Sequence, residues 1–138
     1  MKIKEGFTLI ELMIVIVIVS ILSALVIPLM LSRVEKAKYS EGKAIASQIA
    51  TAVRAYAVEA DIVSQTPSLT GDLGFKDNEL DAKYFKQANM AVAGAVINEN
   101  GTMDYTITLQ PDADKGLTSG NVVLVCDDND TIFTSPDL

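Results

Sequence analysis

Histidine and tryptophan are absent from the 138-residue chain, and cysteine occurs once, at Cys126. Without histidine there is no Ser-His-Asp or Cys-His nucleophile system, no imidazole acid–base group and few of the usual zinc or copper ligand sets. A single cysteine rules out an intramolecular disulfide and any CxxC redox or metal motif. Basic residues are scarce: 11 Lys+Arg stand against 18 Asp+Glu, for a net charge of −7. A nucleic-acid binder needs a basic footprint to neutralise phosphates, so no nucleic-acid site is expected. Most enzyme classes are disfavoured on composition alone, and the chain reads as a non-enzyme. The length suits one small domain with an appendage rather than two domains with separate cores.

What the chain does have is unevenly placed. Residues 1–30 carry Lys2, Lys4, Glu5 and Glu11, which cancel. Residues 31–54 are mildly basic at +3, and the remaining 84 residues hold fourteen acids against four lysines, or −10. From Leu12 to Ser32 there is no charge. That stretch is 21 residues, about 31 Å as a helix, which matches a bilayer core. Its centre, Ile14 to Val19, is wholly β-branched and would lean toward strand in water. Inside lipid the helix wins, because it satisfies its own backbone amides while a lone strand cannot. A secretory signal is the competing reading, with Ser20 to Ala24 as a weak cleavage region, but signal cores run only about 7–15 residues. Counting Lys and Arg on the flanks, two before the run and four after, would place the acidic part in the cytoplasm.

Glu11 abuts the apolar run, with Phe7, Leu9 and Ile10 on its other side. A carboxylate inside a membrane helix costs on the order of 2.5–3.5 kcal/mol at the centre, less near an end, and usually has a partner. It could also simply mark the interface and reach back to water. The segment Gly6-Phe7-Thr8-Leu9-Ile10-Glu11-Leu12, with a short basic leader before it and the apolar run after it, resembles the N-terminus of type IV pilins and pseudopilins. The likeness covers residues 1–35 closely and is one of architecture beyond them.

The resemblance implies cleavage by a prepilin peptidase between Gly6 and Phe7, and N-methylation of the new Phe7 amine. It implies that the Glu11 carboxylate answers the Phe7 amine of a neighbouring subunit during assembly. It also implies a leader in the cytoplasm and a head outside, against the charge count: an inner-membrane protein before assembly, and an extracellular or periplasmic filament after it. Partners would be identical or related pilin subunits, the peptidase and the inner-membrane assembly machinery. Glu5 departs from the family, which more often has a basic residue there; Lys2 and Lys4 keep the leader basic. Pro28 falls where the family has a helix proline and should kink or loosen the helix, since it lacks an N–H. Ser20 and Ala24, four apart, would let helices approach closely or are ordinary membrane composition.

Beyond the run, Val34, Ala37, Ile45, Ile49, Val53, Tyr56 and Ala60 recur at helical steps with a gap near Gly42. The spacing predicts one helix from Phe7 to about residue 60, about 80 Å long, whose first half must project from so small a protein. Residues 61–89 form a connection with turn signals at Thr66-Pro67-Ser68, Gly71 and Gly74, and a short helix over Asn78–Phe85 capped by Asp77 or Asn78. Strands are predicted over Ala91–Asn98, Thr102–Gln110, Asn121–Cys126 and Thr131–Thr134, with a hairpin turn at Glu99-Asn100-Gly101. Met103, Tyr105, Ile107 and Leu109 alternate with polar residues, the mark of a strand wet on one face.

The expected fold is α+β and pilin-like: a long N-terminal helix, its first half hydrophobic and protruding, packed on a small antiparallel meander of three or four strands. The expected organisation is a leader (1–6), an apolar transmembrane and assembly helix (7–32), its amphipathic continuation (33–60) and a globular head (61–138). Asp127, Asp128 and Asp130 are weak candidates for a calcium site, set against ordinary hairpin-turn chemistry. No other cofactor is expected. Cys126 ends an apolar strand, where a lone cysteine usually serves as a small buried hydrophobe or, less often, an intersubunit bridge; the family's two-cysteine staple is missing. Three functions fit this pattern: a type IV pilus filament subunit, the major pseudopilin of a type II secretion system, and, remotely, a single-pass anchored binding domain.

Overall fold

A computed structural model describes residues 6–60, 66–98, 102–117, 120–128 and 130–134. The chain divides into two compact units, Met1–Val34 and Glu35–Leu138. One helix, α1 (Leu9–Ala60), carries residues of both. Four strands follow: β1 (Phe85–Ile97), β2 (Met103–Pro111), β3 (Val122–Asp127) and β4 (Asp130–Thr134). They form a single antiparallel sheet in the order β1-β2-β3-β4, a meander in which each strand pairs with its neighbour in sequence. A 3₁₀ turn, Ala113–Lys115, links β2 to β3 and is capped by the Asp112 carboxylate, which accepts from the Asp114 N–H.

In the first unit, α1 is apolar on every side. Eighteen large apolar side chains between Leu9 and Leu31 are each at least 49% exposed. A helix hydrophobic all round belongs in lipid or against other helices. Helical structure continues through Pro28. Because proline has no N–H, the Ala24 carbonyl one turn earlier lacks its helical donor.

In the second unit, Tyr39, Ala46, Ile49, Ala50 and Val53 of α1 pack on Phe85, Met90 and Val92 of β1, Tyr105, Ile107 and Leu109 of β2, and Val122, Leu124 and Cys126 of β3. The alternation read for β2 holds: Tyr105, Ile107 and Leu109 are buried, and Thr106 and Thr108 face the other way. The helical stripe is shifted from the expected one. Val34 and Ala37 are exposed, and the buried face begins at Tyr39. The gap at Gly42 is a close approach to the sheet, because the Phe85 ring lies where a side chain would go.

The short helix expected over Asn78–Phe85 does not form. Residues 77–80 are turns and Phe85 already opens β1. Local polar bonds displace it: Glu79 Oε2 accepts from the Lys76 N–H, Gln87 Oε1 from the Leu80 N–H, and Asp81 Oδ1 from the Gln87 N–H. Asn78 sits at φ 61°, outside the right-handed helical region. The predicted turn at Glu99-Asn100-Gly101 lies outside the described residues; β1 and β2 pair on either side of it. β1 starts six residues earlier than expected, and its register to β2 shifts at two places, one beside Gly94 at φ 66°. An apolar period had marked only its second half.

Candidate functional site

The N-terminal segment is built around a helix cap. Thr8 precedes the first helical residue, its hydroxyl accepts from the Glu11 N–H at 3.3 Å, and its carbonyl accepts from the Leu12 N–H at 3.4 Å. Thr8-Leu9-Ile10-Glu11 therefore has the spacing of a capping box, threonine at the cap and glutamate three residues on. A carboxylate in the first turn also faces the positive end of the helix dipole. Thr8 belongs to the motif in the sequence, and the Thr-x-x-Glu spacing is the signal for its part in the cap. Gly6, Phe7 and Glu11 are all exposed, Phe7 at 79%. Among the described residues, nothing lies within 4 Å of the position a Gly6 side chain would occupy.

Two hydroxyls along the apolar helix, those of Ser20 and Ser32, are satisfied within it. Ser20 Oγ donates to the Ile16 carbonyl at 2.6 Å, and Ser32 Oγ to the Leu29 carbonyl at 3.1 Å. Neither asks for a partner in lipid, so Ser20 beside Ala24 offers small size rather than a polar contact.

The acidic group at the far end of the sheet differs in membership from the expected one. Asp104, Asp127 and Asp128 bring carboxylate oxygens within 4.8 Å of one another, and Asp130 is not among them. Asp104 comes from β2, placed beside Asp127 by the pairing of Tyr105 with Cys126. Asp104 Oδ2 accepts from Asn98 Nδ2 at 3.0 Å and its Oδ1 from the Asp128 N–H at 2.8 Å; Thr102 Oγ1 donates to Asp128 Oδ1 at 2.9 Å. The Asn98 amide first, and the Asp128 N–H next, hold the Asp104 carboxyl below its ordinary value. These bonds clasp the β1–β2 hairpin to the β3–β4 hairpin. Cys126 is buried and its thiol donates to the Met103 carbonyl at 3.4 Å.

Residues 1–27 match the prokaryotic N-terminal methylation motif. A fimbrial protein of Pseudomonas aeruginosa is 32% identical over 137 residues, covering 96% of this chain and 85% of that protein. The chain belongs to the type IV pilin family. A type IV major fimbrial protein, FimA, of Dichelobacter nodosus is 34% identical over 83 residues, 60% of this chain and 50% of FimA. The type II secretion system core protein G of P. aeruginosa is 45% identical, but over 56 residues, 41% of this chain and 39% of that protein. The likeness to the secretion protein thus spans less than half of this chain, whereas that to the P. aeruginosa fimbrial protein runs through nearly all of it. No solved structure matches the chain at a significant level.

Proposed function

We propose that the chain is a structural subunit of a type IV pilus, held in the inner membrane by residues 7–32 with its head outside the cytoplasm, and polymerised through α1 after cleavage between Gly6 and Phe7. The observation that carries this reading is the apolar first half of α1, exposed on every side directly behind the Gly6-to-Glu11 motif. Such a surface has to be covered, first by lipid and then by other copies of itself. Moving from lipid to a fibre core exchanges one apolar surrounding for another, so the hydrophobic effect contributes little to that step. Packing and specific polar contacts must favour it. A Glu11 carboxylate paired with the Phe7 amine of a neighbour, in surroundings of low dielectric, supplies such a contact and fixes the axial register. The prepilin peptidase and the inner-membrane assembly machinery are the partners this scheme requires. The role is structural rather than catalytic.

The 45% identity to the secretion protein supports the pseudopilin alternative over a 56-residue segment alone. Deletion separates the two: loss of surface fibres for a pilin, loss of secretion for a pseudopilin.

N-terminal sequencing and intact mass of the membrane-extracted protein test the reading directly. The expected chain begins at N-methyl-Phe7; an intact Met1 in the native host would overturn it. Glu11 has two separable roles, and Glu11→Gln splits them. Glutamine keeps the capping box but carries no charge. Processing should continue in both Glu11→Gln and Glu11→Ala, while filament yield falls at least about tenfold in each, as expected for an unanswered amine of more than about 1.4 kcal/mol. Normal yield from Glu11→Gln would show that the cap, not the charge, is what assembly needs.

A further inference from the structure

The head is charged unevenly from end to end. Near the start of its part of α1, the Tyr39 hydroxyl donates to the Gly120 carbonyl, and Gly42 lies against Phe85 and Val122. Further along the helix, Arg54 Nη2 donates to Thr131 Oγ1 at 2.9 Å. One end of the head is thus made by the first turns of this helix with the starts of β1 and β3. The other is made by the β1–β2 and β3–β4 hairpins, and Lys38 to Arg54 puts about 24 Å of helix between them. The hairpin end holds Asp104, Asp127, Asp128 and Asp130. All seven lysines of the head lie at the opposite end: Lys36, Lys38 and Lys43 on α1, and four in the segments that bracket the start of β1 and follow β2.

Two of these lysines share one ring. Lys38 Nζ lies 5.2 Å and Lys83 Nζ 5.3 Å from the centroid of Tyr84. Each ammonium is drawn to the ring, while the two repel each other. No carboxylate answers either of them, since the ion pair among the described residues joins Lys86 to Asp81. Acids at this end are engaged by the backbone instead. Glu41 Oε1 accepts from the Tyr84 N–H at 2.9 Å, Glu79 Oε2 from the Lys76 N–H at 2.7 Å and Asp112 Oδ1 from the Asp114 N–H at 3.3 Å. Lys83 is exposed, and Lys38 and Tyr84 are half-buried. The result is a pair of unanswered cations held at an aromatic ring, a setting for an anion.

Place in the chain says which anion. Lys38 follows Ser32, the last residue of the uncharged run, by six residues, at most about 22 Å of chain even when fully extended. The phosphates of a bilayer that holds residues 7–32 are therefore within its tether. Tyrosine and lysine are also the side chains that settle at headgroup level, with the ring and stem in the apolar margin and the charge among the phosphates. With the head outside the cytoplasm, these lysines stand on the flank that the positive-inside rule leaves poor in them, so topology does not account for them. The acids of the hairpin end, three Debye lengths away at about 8 Å each, neither neutralise the lysines nor feel the lipid.

We propose that before assembly the lysine end of the head docks on anionic phospholipid, with Lys38 and Lys83 holding lipid phosphate about the Tyr84 ring. This rests on the membrane-anchor reading and adds to it a second, polar contact with the same bilayer, one that turns the acidic end away from the surface. Amine labelling of the full chain in bilayer nanodiscs, read residue by residue by mass spectrometry, tests it. Lys38 and Lys83 should label about fivefold more slowly in phosphatidylglycerol than in phosphatidylcholine, as expected for a lysine at an anionic surface. About 0.5 M NaCl should restore the rate. In Lys38→Gln, Lys83 should label faster in phosphatidylglycerol than it does in the parent, because the phosphate has lost one of its two holders; an unchanged Lys83 would overturn the shared site. Equal rates in the two lipids, with residues 9–31 protected from hydrogen exchange in both, would overturn the lipid contact and leave the anchor standing. Protection in phosphatidylcholine on adding inorganic phosphate would assign the site to a free anion. Protection there that rises with the number of copies per disc would assign it to a neighbour's carboxylates, and either result would overturn the proposal. A chain that enters neither bilayer would bring down the anchor reading and this contact together.

Discussion

At Gly42 the helix leaves no room for a side chain against the sheet. A Cβ there would stand 2.7 Å from Phe85 Cζ, 2.9 Å from Cε2 and 3.0 Å from Val122 Cγ2. The ring cannot swing aside freely, since Phe85 is fully buried and meets Tyr39 edge-on with centroids 6.4 Å apart. Alanine would favour the helix by about 1 kcal/mol, but overpacking a core costs about 1–3 kcal/mol. Gly42→Ala should therefore lower stability by about 1 kcal/mol in urea unfolding, and Phe85→Leu should cost less on that background than alone. Equal costs on both backgrounds would show that the two do not touch. Tyr105 gives the opposite sign. Its hydroxyl is buried and has no well-formed hydrogen bond among the described residues, with the Cys126 thiol and the Arg54 guanidinium beside it. Burial foremost, then Cys126, pushes its pKa up to about 12, partly offset by Arg54. The unfolded phenol ionises near 10, so this contribution to stability is complete below that pH and is lost as pH rises toward 12. Removing an orphan hydroxyl while keeping the ring is neutral or favourable. Tyr105→Phe should unfold at an equal or higher urea concentration at neutral pH, and should lose less stability than the parent between about pH 10 and 12.

At the scale of elements, the two hairpins are joined at one end by Asp104. Its depressed pKa has a definite sign: stability is present above the ordinary carboxylate value of 3.8 and is lost as pH falls through the lower folded value. Asp81 behaves alike, held down first by the Gln87 N–H and then by Lys86. Asp104→Asn removes one titrating group from this balance, so the stability gap between parent and variant should narrow as pH falls from about 6 to below about 3. A gap constant with pH would assign the clasp to shape alone. The clasp also shows where the sequence was readable. The alternation of Tyr105, Ile107 and Leu109 and the long helical period are properties of neighbouring residues, and they gave the strand, the helix and the α+β class. Asp104 joining Asp127 depends on β2–β3 register, which no local pattern states. The helix expected over Asn78–Phe85 does not form because Gln87 of β1 accepts from the Leu80 N–H and donates its own N–H to Asp81, bonds that favour turns. Of the N-terminal site, the Gly6-to-Glu11 order was legible, while the part Thr8 plays was written in a spacing that passed unread.

For the whole molecule, the question is whether the apolar half of α1 contributes anything to the stability of the folded head. Every residue of the hydrophobic core lies at Tyr39 or beyond. Between Gly6 and Val34 no described residue is buried, and Ser23 alone is intermediate. Residues 35–138 hold sixteen acids against eight bases, enough net charge to keep a small domain soluble. Cutting before Glu35 leaves one turn of helix ahead of Tyr39, so fraying at the new end stops short of the core. A chain of residues 35–138 should therefore be a soluble monomer with one cooperative transition. Its free energy of unfolding should lie within about 0.5 kcal/mol of that of the head in the full chain dispersed in detergent, the range expected for changes away from core contacts. Size-exclusion chromatography and urea unfolding followed by circular dichroism measure both quantities. An aggregated or uncooperative product would mean that residues before Glu35 help to hold the head together. An unchanged head would leave them a single task, to be covered by lipid or by other copies, and would make every defect from their substitution a defect of anchoring or assembly rather than of folding.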